Sequence, residues 1–89
     1  MRGEFKESYF EDNREKFVAA ANNGVRFVFG GYFDLARISE QKAIDALEIC
    51  EDQIKRQFAT EKARVTVEQM KGKLRELSEL IVQKEKESR

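Results

Sequence analysis

The sequence predicts a mainly α-helical protein: an N-terminal helix, a short aromatic β-hairpin or helical turn, and an antiparallel pair of C-terminal helices. Two observations carry that reading. Apolar residues recur at spacings of three and four through the C-terminal half, within a chain of 89 residues of which 38% are charged, well above the share of about 25% usual for globular domains. The aromatic residues gather at the front, at Phe5, Tyr9, Phe10, Phe17, Phe27, Phe29, Tyr32 and Phe33, leaving Phe58 alone downstream.

Ser8 followed by Glu11 has the form of a capping box, in which serine and glutamate side chains satisfy backbone donors left free at a helix start. It predicts a first helix from about Tyr9 to Asn22. Phe10, Phe17 and Ala21 give that helix a narrow apolar face, and Asn23-Gly24 offers a left-handed C-cap. Phe5 either packs back on this helix or belongs to a loose tail.

Val25–Phe29 and Tyr32–Ile38 flank Gly30-Gly31, a two-residue glycine turn between β-branched and aromatic runs, which is a hairpin signal. The same window also reads as a buried helical segment, in which each glycine would cost about 1 kcal/mol relative to alanine. Ser39 is a candidate N-cap with Glu40 in the positive first turn. From there Ala43, Leu47, Cys50 and Ile54 repeat at helical spacing, and Ile44, Ile49 and Phe58 widen the apolar face enough to meet two neighbours.

A further stripe of Ala63, Val67, Met70, Leu74, Leu77 and Ile81 keeps a strict alternation of four and three, the seam of a coiled-coil-like helix. This stripe is out of heptad phase with the one before it, and Thr66 with Gln69 offers another capping box. A turn is therefore expected between Ala59 and Thr66, the alternative being one long helix with a stutter. Charge favours the turn. Arg64, Lys71 and Lys73 flank the second seam, and a parallel self-pair would set Lys71 against Thr66 and Lys73 against Ser78, whereas antiparallel folding brings Glu51 to a basic flank. Val67, Met70, Leu74, Leu77 and Ile81 thus form a hairpin or self-association seam. A single small helical domain is expected over residues 1–89, with 1–7 and 84–89 frayed, since the chain has no proline and no linker-like tract.

Composition excludes several classes of function. Seventeen basic residues balance 17 acidic ones, so no global field draws the chain to nucleic acid. The absence of histidine removes the commonest general base and every histidine-containing metal site. Cys50 lies on the apolar stripe near Glu48, Glu51 and Asp52, an environment that suppresses thiol reactivity. Asp45, Glu48, Glu51 and Asp52 read as a solvated acidic face, because hard-cation sites draw on loops or converging helices. Gly30-Gly31 lacks the lysine and hydroxyl of a phosphate loop. No catalytic residue, metal or cofactor is therefore expected. The most apolar window, Val25–Ile38, is too short for a membrane span of about 20 residues. With one cysteine and no signal-like segment, a cytoplasmic location is expected.

Two functional readings remain. The first is a non-enzymatic interaction module, an inhibitor, adaptor or regulator that docks Tyr9, Phe10, Phe29, Tyr32 and Phe33 onto a larger protein, because aromatics with a polar tip are enriched at interfaces. So small a core also favours a homodimer. The second is a small DNA-binding regulator, in which Arg64, Lys71 and Arg75 share one helical face and meet successive phosphates.

Overall fold

A computed structural model describes residues 2–89 and contains three helices: α1 (Glu7–Phe29), α2 (Phe33–Arg56) and α3 (Glu61–Glu87). They form an up-down-up bundle, a rod of 51 × 17 × 17 Å. Its direction follows from the cross-helix pairs: Glu51 meets Lys71 at 3.3 Å and Arg37 meets Glu85 at 2.6 Å, so α3 runs antiparallel to α2. Gly24 lies against Leu77, level with it on the parallel pair α1 and α3.

The expected hairpin over residues 25–38 is corrected to helix. Asn23-Gly24 does not end α1, which continues to Phe29. Gly24 is instead a packing notch, since a Cβ there would lie 3.0 Å from Leu77 Cδ2. The helix ends at Gly30-Gly31, where Tyr32 N–H donates to Phe27 C=O at 2.8 Å and Gly31 N–H donates to Val28 C=O at 3.0 Å. That is a Schellman motif, whose C′ residue must be left-handed, and Gly31 has φ +82°. The glycine pair thus supplies the positive φ that the sequence implies, but at a helix end. Among the described residues there is no strand, only a single parallel bridge between Gly3 and Gln57.

The other boundaries also shift. α1 starts at Glu7, with Lys6 and not Ser8 at the N-cap position. α2 begins at Phe33, so Ser39 is a buried residue of its interior. Ala36, Ala43 and Cys50 are all fully buried, and their spacing of seven continues the apolar face back into the aromatic segment. Thr60 caps α3, its Oγ1 accepting from Ala63 N–H at 3.1 Å. Thr66 sits inside α3 and donates to Lys62 C=O at 2.8 Å. The break between α2 and α3 therefore covers residues 57–60, and the single long helix is excluded.

Residues 2–6 lie along that break: Gly3 N–H donates to Arg56 C=O at 2.9 Å and Phe58 N–H to Gly3 C=O at 2.9 Å. Gln53 Nε2 donates to Lys6 C=O at 2.7 Å. Phe5 packs back on α1, with its ring centroid 5.5 Å from that of Phe10. Met1, within the stretch expected to fray, lies outside the described residues. At the other end, α3 runs on to Glu87 through residues expected to fray.

One core cluster joins Phe10, Phe17, Ala20, Ala21, Ala43, Leu47, Cys50, Val67 and Met70. A second, at the α1–α2 turn, joins Val28, Ala36, Leu77 and Ile81. α1 and α2 approach each other most closely, because alanines line their contact and small side chains let backbones draw near.

Candidate interaction surface

The aromatic residues divide between core and surface. Phe10 is only 3% exposed and belongs to the first core cluster. Phe33 is half-buried and packs on the second. Phe29 and Tyr32 lie outside, 67% and 61% exposed. Tyr9 is also exposed, but it sits 20 residues before Phe29 on the same helix, or about 30 Å along the rod at 1.5 Å per residue. The five expected contact residues therefore do not form one patch. Phe29 and Tyr32 flank the Gly30-Gly31 turn that joins α1 to α2, while Phe33 packs inward on the second core cluster.

Each ring is held by local geometry. Tyr32 lies over Gly30, where an added Cβ would come within 3.0 Å of its Cδ2. Gly30 has ordinary helical φ, so its missing side chain serves the ring and not the backbone. Lys84 Nζ stands 5.7 Å from the centroid of Phe29, a cation–π distance. Leu35 and Ile38, in the first turns of α2, are exposed as well. Sequence reading missed both, because an interrupted helical period does not separate outward from inward positions until the helix start is known.

The other expected contact residues have different surroundings. Val67, Met70, Leu77 and Ile81 are buried and Leu74 is half-buried, all packed within the bundle. Arg64 and Arg75 are exposed. Lys71 lies between them in sequence and is 3.3 Å from both Glu51 and Glu68. These carboxylates, Glu68 first and Glu51 next, hold its ammonium above the usual lysine range.

Cys50 is fully buried, its Sγ 3.9 Å from Phe10 C=O. Burial pushes its pKa up to about 11, opposed by Arg14 and reinforced by Glu11. The acidic residue that matters is thus on α1, not among the α2 neighbours considered from sequence. Among the described residues, no three or more cysteine and carboxylate side chains converge on a metal-sized site. No helix among them is long and apolar enough to cross a membrane. No protein-family model, curated protein or solved structure matches the chain.

Proposed function

We propose that this protein is a non-enzymatic interaction module, an inhibitor, adaptor or regulator that docks the Phe29–Tyr32 tip of its first helical hairpin onto a larger protein. The observation that supports it is the exposure of two aromatic side chains that flank a turn whose backbone is fixed by the Schellman hydrogen bonds. Water opposes such exposure, and rigid aromatic side chains give large contact area at low cost in conformational entropy.

A DNA-binding role for the Arg64, Lys71 and Arg75 face draws less support, because Lys71 is already paired with two carboxylates. The test is capture of a partner from native lysate, with and without nuclease treatment, by the wild type, by the double variant F29A/Y32A, and by R64E/R75E. A stoichiometric protein retained by the wild type and by R64E/R75E, and lost with F29A/Y32A at unchanged helicity, is the expected result. Capture that depends on nucleic acid and fails with R64E/R75E would transfer the function to the basic face.

A further inference from the structure

α2 carries a second heptad stripe on its solvent-exposed side, bordering α1. Leu35, Ile38, Lys42, Asp45 and Ile49 follow one another at spacings of three, four, three and four, and all five are exposed. Such spacing is the seam of a coiled coil, with Leu35, Lys42 and Ile49 at a-type and Ile38 and Asp45 at d-type positions. Toward α1 this face deepens into a shallow groove, where Ile49 and Asp45 stand beside Tyr9 at one end and beside Ala20 and Asn23 further along. An amphipathic helix normally leaves its outer face polar. Here three aliphatic side chains occupy it at seam spacing.

The charges on the stripe identify its occupant. Neither Lys42 nor Asp45 takes part in an ion pair among the described residues; Asp45 accepts only from Gln41 Nε2, at 2.9 Å. Read against its own reverse, the stripe is complementary to itself. With the two-fold axis between Lys42 and Asp45, each Lys42 faces the Asp45 of a second copy and each Ile38 faces its Ile49. Leu35 then comes level with Asp52, next to Tyr9 in the groove. Every layer pairs an a-type with a d-type position, as antiparallel helices require. Parallel pairing would instead oppose lysine to lysine and aspartate to aspartate, which is repulsive.

We infer that α2 pairs antiparallel with α2 of a second copy of this chain through Leu35, Ile38, Lys42, Asp45 and Ile49. The interface is isologous, as closed two-fold dimers demand. It leaves the Phe29–Tyr32 tips free and carries them to opposite ends of the dimer, about 35 Å apart at 1.5 Å per residue. The inference does not depend on the proposed docking function, and its test does not involve that partner.

Sedimentation equilibrium of the purified chain over a wide concentration range reads the pairing directly, against the chain mass of 10.4 kDa. A reversible monomer–dimer equilibrium is expected. K42D and D45K should each weaken it about tenfold or more, since each sets like charges together twice. The double variant K42D/D45K restores the complementarity and should return to within about threefold of wild type, the two sites being in contact and so non-additive. Ile38→Asp should abolish dimerisation at unchanged helicity, and F29A/Y32A should leave it intact. A chain that stays monomeric, a dimer indifferent to the single charge reversals, or a charge-swapped double that fails to recover would each overturn the inference.

Discussion

Gly24 of α1 and Leu77 of α3 meet so closely that a Cβ on the glycine would lie 3.0 Å from Leu77 Cδ2 and 3.1 Å from Cδ1. Leu77 is 2% exposed, so its methyl groups have little free space into which to retreat. Gly24→Ala gains about 1 kcal/mol of helix propensity but overpacks the contact at a cost of about 1 to 3 kcal/mol. The net expectation is a loss of about 1 kcal/mol. Gly72 supplies the control, because nothing lies within 4 Å of its Cβ position and Gly72→Ala should stabilise α3 by about 1 kcal/mol. Urea unfolding of both variants gives opposite shifts in midpoint if the notch is real, and parallel shifts if it is not.

Three of the helix ends that the structure relocates can be tested through their caps. Thr60→Ala removes the oxygen that accepts from Ala63 N–H and should cost about 1 kcal/mol. Thr66→Ala lies within α3 and should be neutral or slightly stabilising, and Ser8→Ala should have little effect. Gly31→Ala forces a Cβ into a backbone with φ +82°, at a cost of about 1 to 2 kcal/mol. A larger loss at Thr66 than at Thr60 would return the start of α3 to the position read from the sequence.

The seam from Ala63 to Ile81 was legible because it is long, strictly periodic and made of large aliphatic residues. Even its partner was legible: the acidic Glu51 was expected on a basic flank, and Lys71 lies 3.3 Å from it. Residues 25–38 misled for a physical reason. A glycine that adopts positive φ serves a hairpin turn and a helix C-cap equally well, and β-branched and aromatic residues suit strands when no tertiary contact overrides them. The buried positions there are Val28 of α1 and Ala36 of α2, which lie on opposite sides of the break and so form no single stripe. Gly24 looked like a terminator because its reason for being glycine, Leu77, belongs to another helix. For the candidate surface, the sequence drew attention to Phe29 and Tyr32, but which rings turn inward depends on where α2 begins.

The buried thiol gives a pH signature. The pKa of Cys50 rises from an ordinary 9.0 to about 11, chiefly through burial. The folded chain therefore holds this proton more tightly than the unfolded chain. Its contribution is fully present below pH 9.0 and is lost as pH climbs to about 11, amounting to about 2 kcal/mol at that end. Stability should fall with pH over this window more steeply in the wild type than in Cys50→Ala, which has no thiol to ionise. Equal slopes would assign the decline to other groups. Near neutral pH the native thiol should resist a disulfide reagent and react on unfolding, since thiolate is the reactive form.

The division of the aromatic front into surface and core makes its own stability prediction. Phe29 and Tyr32 are 67% and 61% exposed, so both substitutions remove little buried area; Tyr32→Ala should change stability by no more than about 0.5 kcal/mol, and Phe29→Ala by about 1 kcal/mol at most. Phe29 also loses its cation–π contact with Lys84, which at an exposed site contributes about 0.5 to 1 kcal/mol. The Schellman bonds run through the backbone and survive both substitutions. Phe17→Ala, by contrast, empties a fully buried position and should cost about 3 to 5 kcal/mol. Phe33→Ala, half-buried against Val28, Ala36, Leu77 and Ile81, should fall between these limits. Thermal unfolding of the four variants then ranks the rings by burial. Near-silent Phe29 and Tyr32 variants would show that the fold does not need the tip, whereas losses as large as that of Phe17 would make the tip part of the core and remove the docking surface.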